Sequence, residues 1–233
     1  MPETSVQVAG PEEISKPTPL FEVAVVVSLA AAVLALFLFA WIGREMHEGD
    51  TQQFDLAVRA WVHRFASPAM TRTMTIFSLM GYNILIAELL VALVAFLTLR
   101  WRRAFLWLTI SMTGSLLLDL ALKYAFQRPR PVAFFGVAPH SYSFPSGHAL
   151  CSFCFYLVLA GLLSARLQSL ALRILIWTFA VSMVTMIGLS RIYLGVHYPS
   201  DVIAGYLAAA VWVGAVIVLD HLRKVRKSSA QAK

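Results

Sequence analysis

The sequence contains few charged residues for its length. Charged residues make up 13% of the 233 residues, whereas hydrophobic residues make up 59%. A soluble domain is about 45–50% apolar and about 25% charged, so this composition excludes an ordinary soluble globular protein. A disordered chain is excluded as well, because disorder requires low hydrophobicity. We therefore expect an integral membrane protein, with room for one helical bundle and no second large domain.

Cysteine is also scarce, and a secretory leader is not expected. The two cysteines, Cys151 and Cys154, lie in one apolar run. A C-x-x-C pair can be redox-active beside a βαβ pattern, but the sequence has no such pattern, so buried thiols on a membrane helix are expected. The first 19 residues lack the basic segment of a signal peptide. The first apolar run is therefore predicted to stay as a membrane helix.

Six apolar runs are long enough to cross a bilayer, which takes about 20 residues of helix. They lie at about 20–42, 74–99, 104–126, 147–165, 170–190 and 200–221. The fold prediction is thus an all-α integral membrane bundle of six transmembrane helices with a short interfacial amphipathic helix. The predicted domains are a polar tail at 1–19, the six-helix membrane domain at 20–222 and a basic tail at 223–233.

The basic residues predict the orientation of the bundle. We expect the protein in the inner (cytoplasmic) membrane. Lys and Arg are enriched in cytoplasmic loops, and their distribution along this sequence favours both termini on the cytoplasmic side. The net charge of +7 follows from the same bias. Membrane lipids are therefore expected as partners and nucleic acid is not, while the oligomeric state is not indicated.

A short amphipathic segment at 52–66 separates the first two apolar runs. Phe54, Val58, Trp61 and Phe65 fall on one helical face, and the basic side chains point elsewhere. One interpretation is an interfacial helix that lies on the outer membrane surface. The other is a helix packed on top of the bundle, and the sequence favours neither.

Three polar clusters fall at the ends of the later apolar runs. They cover residues 123–131, 144–149 and 190–201. In the predicted topology, all three lie at the outer membrane face. There Lys123, Arg130 and Arg191 would repel one another unless an anion joined them, and Arg binds phosphate oxygens through two parallel hydrogen bonds. A lipid phosphate headgroup is the anion expected at that depth.

Two histidines accompany these cations. Ser146 and Gly147 precede His148 at the start of an apolar run, where helix N-terminal N–H groups bind anions and glycine allows close approach. His197 lies four residues before Asp201. If Asp201 opens a helix, its carboxylate can hold one ring nitrogen and leave the other free to attack, as in catalytic triads.

A catalytic metal is not expected. The candidate ligands near this face are His148, His197, Asp201 and His140, and the neighbouring cations would repel a divalent ion. No other cofactor is indicated.

The three clusters together resemble the signature of the type 2 phosphatidic acid phosphatase superfamily. That signature reads K-x6-R-P, P-S-G-H and S-R-x5-H-x3-D, and it matches here at Lys123–Pro131, Pro145–His148 and Ser190–Asp201. The resemblance covers roughly residues 115–205. The membrane content is similar to that of the bacterial lipid phosphatases, and it distinguishes the chain from the soluble acid phosphatases and haloperoxidases of the superfamily.

The resemblance implies a role for each motif residue. His197 would be the nucleophile that forms a phosphohistidine, Asp201 would orient it, and His148 would be the general acid and then the base. The phosphoryl oxygens would be held by Lys123, Arg130, Ser146, Gly147 and Arg191. Because His197 must be neutral and His148 protonated, we expect a bell-shaped pH profile with an acid-to-neutral optimum.

Other polar residues have less certain roles. Asp119 lies four residues before Lys123, either to hold that lysine for substrate or as a structural ion pair. Glu88 is expected to make a buried structural contact. Arg128 is either a loop cation or an additional headgroup contact. The side chains that could shape the pocket mouth are Tyr193, Tyr198 and His140.

The predicted function is hydrolysis of a lipid phosphate substrate. An outward-facing site favours a polyprenyl diphosphate such as undecaprenyl diphosphate, and phosphatidylglycerophosphate and phosphatidate remain open. The alternative is a phosphotransferase that passes the phosphoryl group to another lipid or a sugar. A lipid binder or transporter without catalysis is disfavoured, because binding alone does not need an oriented histidine.

Overall fold

The described part of the chain folds into eight helices. The computed structural model describes the backbone of residues 19–231 and the side chains of residues 26–220, 222 and 223. The helices are α1 (Pro19–Glu48), α2 (Thr51–His63), α3 (Pro68–Met80), α4 (Asn83–Thr98), α5 (Arg102–Phe126), α6 (Gly147–Ser164), α7 (Leu170–Tyr193) and α8 (Pro199–Gln231). The predicted polar tail lies outside the described residues except for its last residue. Most of the predicted basic tail continues α8.

The helices confirm the all-α membrane prediction. Segments of α1, α5, α6, α7 and α8 are each long and apolar enough to cross a membrane. Helices α3 and α4 supply a sixth span when they are taken together. Large apolar side chains on the outside of the bundle, such as Phe37, Leu90 and Val91, are exposed, as expected for surfaces that contact lipid tails.

The second predicted span is wrong in its extent and its continuity. It starts earlier, at Pro68, where Ser67 caps α3 by accepting a hydrogen bond from the Met70 N–H at 3.2 Å. It is then broken after Met80, and α4 leaves at 42° to α3. A Cβ on Gly81 would lie 2.5 Å from Cγ2 of Ile187, so the break lies where this backbone presses against α7.

Helix α6 forms the centre of the bundle. It packs against α5, α7 and α8, and its side chains Leu150, Cys154 and Phe155 are almost fully buried. Gly205 lets α8 approach closely, because a Cβ there would lie 2.6 Å from the Ser146 carbonyl oxygen. This contact holds the start of α8 against the start of α6. Asp201 lies at the first of these helix ends, and the P-S-G-H motif lies at the second.

Helix α2 combines features of both interpretations of the amphipathic segment. Its apolar side chains Phe54 and Trp61 are 50% and 58% exposed, and Phe65 just beyond it is 53% exposed. Its polar side chains Asp55 and Arg59 are buried against the bundle. The helix therefore packs on the bundle through its polar face and leaves its apolar face outward, and contact of that face with a membrane surface stays a prediction.

Two minor predictions are confirmed. Cys151 and Cys154 are free and buried inside α6. Glu88 makes the expected structural contact, because it accepts a hydrogen bond from the Tyr156 hydroxyl at 2.7 Å. A buried partner of this kind lets a carboxyl group persist at membrane depth.

Candidate active site

The third motif begins in α7 and ends in the first turn of α8. His197 lies in the short connection between these helices, and Asp201 lies at the third position of α8. Both side chains are fully buried. The His197 Nδ1 lies 3.4 Å from Oδ2 of Asp201, one helical turn apart as the spacing predicted.

The other ring nitrogen of His197 faces a cation from the first motif. Arg130 Nη1 lies 2.9 Å from His197 Nε2 and also donates to the Val196 carbonyl at 2.9 Å. Since a guanidinium can only donate, Nε2 accepts and the ring proton is on Nδ1, toward Asp201. The contacts thus assign the tautomer that leaves a lone pair on Nε2.

Burial keeps this histidine neutral. Removal of the ring from water lowers the pKa of His197 from 6.5 to about 3, against the opposing effect of Asp201, which raises it. The neighbouring Arg130 and Arg191 lower it further. Burial also lowers the pKa of Arg130, but an arginine stays charged at physiological pH. The pair is therefore a neutral imidazole beside a cation.

The second motif forms the start of α6. Ser146 precedes the helix, and its N–H donates to the Asp201 carbonyl at 2.9 Å. The first N–H groups of any helix have no partner within the helix, and the helix dipole adds positive potential there. Gly147 lies so close to Asp119 that a Cβ would be 2.7 Å from its carboxylate oxygen. The motif thus aims backbone donors at the space that His197 and the cations border.

Two buried donors of the predicted phosphate-binding set have no hydrogen-bond partner among the described atoms. They are Oγ of Ser146 and Nε of Arg191. Arg191 is otherwise fixed by a hydrogen bond from Nη1 to the Ser78 hydroxyl of α3. Unsatisfied buried donors are uncommon in proteins and call for an explanation, and an anion at this position would supply the missing acceptors.

Lys123 lies at the end of α5 beside the second motif. Its Nζ donates to the Pro145 carbonyl at 3.1 Å and pairs with Asp119. The predicted ion pair between these two residues is therefore present, and both of its interpretations remain open. The lysine reaches the site while its charge is balanced.

His148 completes the cluster at the second position of α6. It lies within electrostatic range of Arg191, His197, Arg130 and Lys123. The ring of Tyr82, at the break between α3 and α4, stacks on it with the centroids 5.7 Å apart. The structure thus brings all eight predicted site residues to one end of the bundle.

Several residues outside the predicted site set surround Asp201. Arg128 lies in the loop after α5, as one of its two interpretations predicts, and it donates to Asp201 Oδ1 at 2.6 Å and to Asp55 Oδ2 at 2.8 Å. Ser143 also donates to Asp201. Asp55 belongs to no motif, and its position within a segment of apolar periodicity was the only available signal.

The three candidates for the pocket mouth have different positions. Tyr193 is buried, and its hydroxyl is 2.8 Å from the Thr71 hydroxyl. Tyr198 lies under the Arg128 guanidinium, 4.0 Å from ring centroid to Cζ. His140 is exposed on the loop before α6. Of the three side chains, only that of His140 is exposed.

The described residues contain no group of three or more His, Cys, Asp or Glu side chains that could hold a metal ion. The site instead gathers cations around a histidine pair. Such an arrangement can bind a phosphoryl group, stabilise its negative charge and present a neutral nucleophile to it.

The chain is similar to several proteins named as phosphatases. The chain is 30% identical to phosphatidylglycerophosphatase B of Bacillus subtilis over 178 residues, which is 74% of this chain and 87% of that protein. It is 32% identical to an undecaprenyl-diphosphatase of Sulfolobus acidocaldarius over 120 residues, which is 49% of this chain and 53% of that protein. The chain therefore spans about half the length of the second relative.

A solved structure has the same fold. The crystal structure of a transmembrane PAP2-type phosphatidylglycerolphosphate phosphatase from Bacillus subtilis matches 82% of this chain and 96% of its own length, with a TM-score of 0.74 at 24% identity. The match at family level covers residues 104–224, which include all three motifs. By its motifs, its membrane helices and these similarities, the chain belongs to the PAP2 superfamily.

Proposed function

We propose that the protein hydrolyses a lipid phosphate or lipid diphosphate through a covalent phosphohistidine at His197. As a multi-pass membrane member of the PAP2 superfamily, it is an enzyme of the lipid phosphate phosphatase class. The observation that carries the mechanism is the orientation of one ring. Asp201 holds Nδ1 at 3.4 Å, and Nε2 faces Arg130 at 2.9 Å.

The first step is phosphoryl transfer to the enzyme. The lone pair on Nε2 of His197 attacks phosphorus, so a P–N bond forms while the bond between phosphorus and the leaving oxygen breaks. That oxygen takes a proton from His148 and departs as the lipid alcohol, or as the lipid monophosphate if the substrate is a diphosphate. Asp201 stabilises the positive charge that develops on the His197 ring.

The second step releases phosphate. Neutral His148 removes a proton from water, the water oxygen attacks phosphorus, and the P–N bond breaks. Inorganic phosphate leaves, and both histidines return to their starting protonation states. His148 acts as acid in one step and as base in the next, which requires it to face the same phosphoryl group as His197.

The cations and the start of α6 account for charge stabilisation. Phosphoryl transfer depends on positioning and electrostatics more than on covalent chemistry by the protein. Phosphoryl oxygens would give acceptors to the Ser146 hydroxyl and Arg191 Nε, which lack partners among the described atoms. Lys123, Arg130 and the N–H of Gly147 would complete the set.

Two substrates have specific support. A polyprenyl diphosphate is favoured if the site faces outward, where such a product of envelope polymer synthesis is released, and one relative is named for undecaprenyl diphosphate. Phosphatidylglycerophosphate is the second candidate, because the relative matched over 87% of its length is named for it. Both carry a terminal phosphate at the polar end of an amphipathic lipid.

The outward orientation can be tested separately. His140 lies exposed near the site, and Gln168 is exposed at the opposite end of the bundle. Single His140→Cys and Gln168→Cys variants in intact cells would be treated with a membrane-impermeant thiol reagent. We expect labelling of the first variant alone, since the native cysteines are buried, and labelling of the second alone would reverse the orientation.

The activity test is release of inorganic phosphate by the detergent-purified protein. The panel comprises undecaprenyl diphosphate, phosphatidylglycerophosphate and phosphatidate, with and without EDTA. We expect release from at least one lipid, unaffected by EDTA and abolished by His197→Asn. The matched control is His47→Asn, because His47 is an exposed histidine of α1 outside the site.

The intermediate has its own signature. Lipid labelled in the phosphate should leave label on the protein that is lost in acid and retained in alkali, as for a phosphoramidate. Labelled His197→Asn protein would disprove the assignment of the nucleophile. Label that passes to an added lipid or sugar alcohol in preference to water would favour the phosphotransferase.

A further inference from the structure

One guanidinium links the proposed catalytic carboxylate to helix α2. Arg128 Nη1 donates to Asp201 Oδ1 at 2.6 Å, and its Nη2 donates to Asp55 Oδ2 at 2.8 Å. Both aspartate side chains are fully buried, and the Arg128 side chain is 11% exposed. The three residues come from α2, the loop after α5 and α8, so the network joins three separate elements.

Asp55 also holds the backbone of α8. Its Oδ1 accepts from the Ser200 N–H at 2.9 Å, and its Oδ2 accepts from the Ser200 hydroxyl at 2.7 Å. Ser200 lies in the first turn of α8, where N–H groups lack partners within the helix. Asp55 therefore caps α8 from a different helix, at the residue next to Asp201.

These bonds restrict how the Asp201 carboxylate can turn. Arg128 occupies Oδ1, while Oδ2 accepts from the Tyr198 N–H at 2.8 Å and from Ser143, and faces His197. The Tyr198 ring lies 4.0 Å from the guanidinium and limits its movement. A carboxylate fixed at both oxygens holds its partner imidazole in one orientation.

We propose that Asp55 and Arg128 are positioning residues for the phosphoryl transfer. Through Arg128, the buried polar face of α2 fixes the Asp201 carboxylate so that Nε2 of His197 points at phosphorus. The proposal rests on the proposed function. Neither residue is placed against the reacting atoms. The two terminal nitrogens of Arg128 donate to the carboxylates of Asp201 and Asp55, and the Asp55 carboxylate accepts from Arg128 and Ser200.

The test compares conservative variants of Arg128 and Asp55 with a matched control variant in α2. Arg128→Lys keeps the charge but cannot bridge two carboxylates with a planar fork. Asp55→Asn keeps an acceptor for Ser200 but loses the charge. The matched control is Arg59→Lys, because Arg59 also anchors α2 by donating to the Val132 and Gly195 carbonyls, at 2.7 Å and 3.2 Å, without touching Asp201.

Steady-state kinetics and the rate of phosphohistidine formation would be measured on protein that elutes as a folded species. We expect Arg128→Lys to lower kcat about a hundredfold with KM changed less than about threefold, since small misplacement of a reacting group costs that much. Asp55→Asn should lower kcat about tenfold. In both, phosphohistidine formation should slow in parallel, and Arg59→Lys should keep its rate.

A structural role would give a different pattern. If Asp55→Asn and Arg59→Lys lower the unfolding temperature alike and leave kcat of the folded protein unchanged, the positioning role is wrong. Ser200→Ala keeps every charge and removes only the hydroxyl that donates to Asp55 at 2.7 Å and accepts from Arg128 Nη1 at 2.8 Å, so it provides a variant that folds even if the others do not. Its kcat should fall severalfold, and an unchanged value would also count against the proposal.

The two proposals fail in different ways. If the wild-type protein releases no phosphate from any lipid, the proposed function fails. If the wild type is active, His197→Asn is inactive and Arg128→Lys equals the wild type in kcat, only the positioning role fails.

Discussion

The two ends of the bundle use the same ionic chemistry in opposite surroundings. At the motif end, Arg128 bridges Asp55 and Asp201, whose side chains have no exposure to solvent. At the other end, Arg103 pairs with Asp220, with 59% and 23% of the side chains exposed. A buried charge needs its partner, whereas an exposed pair competes with water and salt. The same type of contact can therefore fix geometry at one end and contribute little at the other.

A cavity at the other end of the bundle differs from the motif end in the chemistry of its walls. It measures about 770 Å³, and its walls are mainly apolar and aromatic side chains such as Trp107, Phe153 and Leu157. None of the eight predicted site residues borders it. A cavity alone does not indicate the proposed chemistry, for which the support is the convergence of cations on an oriented histidine.

The largest expected effect on kcat comes from replacing the Asp201 carboxylate. Asp201→Asn should lower kcat about 10⁴-fold, the size found when the aspartate of a Ser-His-Asp triad is changed, because the amide no longer holds His197 in its tautomer or stabilises its charge. Phosphate release by folded protein in detergent is the measurement. Asp50→Asn, an exposed aspartate before α2, is the control and should match the wild type.

A loss below tenfold would contradict this picture. In that case the His197 ring would have to keep its orientation without the carboxylate. Ser143 and Arg128 do not explain this, because their hydrogen bonds are made to Asp201 and not to the His197 ring.

The motif end could be predicted from the sequence because its residues have fixed spacings. His197 lies four residues before Asp201, and the first turn of α8 brings the two side chains together. The polar face of α2 could not be predicted in the same way. Asp55 contacts Arg128 and Ser200 across 73 and 145 residues of sequence, and no local spacing records such a contact.

The next prediction concerns the charge of His197. Because burial lowers its pKa to about 3, the ring should stay neutral throughout the physiological range. An unfolded histidine binds a proton below about pH 6.5, so the folded state binds fewer protons than the unfolded one between about pH 6.5 and pH 3. Stability should therefore fall as pH falls through this window, with its full value retained above it.

Direct titration checks this prediction. In the nuclear magnetic resonance spectrum of histidine-labelled protein in micelles, the His197 ring signal should not move between about pH 8 and pH 4.5, and His197→Asn identifies it. A midpoint near 6.5 would contradict the buried neutral ring. The bell-shaped activity profile expected from the sequence would then owe its acid limb to His197, whereas a low pKa assigns that limb to another group.

The broken span is a further feature that packing determines and composition does not. Residues 74–99 read as one apolar run, yet the chain bends between α3 and α4. The bend depends on how closely Gly81 approaches Ile187 and the His148 ring, since a Cβ would lie 2.5 Å and 3.0 Å from them. Hydropathy carries no information about a neighbour in another helix.

A smaller effect is expected at the ion pair inside the site. Asp119 pairs with Lys123 and lies against Gly147, so its negative charge would face a bound phosphate. Asp119→Asn should tighten inhibition by inorganic phosphate about threefold to tenfold, because like charges side by side disfavour binding. Lys123 keeps the Pro145 carbonyl as an acceptor. Weaker inhibition in the variant would instead assign Asp119 the role of holding the lysine.

The smallest effect belongs to the exposed pair at the other end. Arg103→Gln removes the charge that pairs with Asp220, at a position where 59% of the arginine side chain is exposed. Exposed pairs of this kind contribute about 0–1 kcal/mol, so kcat should equal that of the wild type and the unfolding temperature should change by no more than about 4 °C. Thermal unfolding and phosphate release in the same detergent test both statements. A fall in kcat comparable to that of Arg128→Lys would mean that the two ends of the bundle are coupled through α5 or α8. Burial alone would then no longer explain why the ion pairs of Arg128 affect kcat and the ion pair of Arg103 does not.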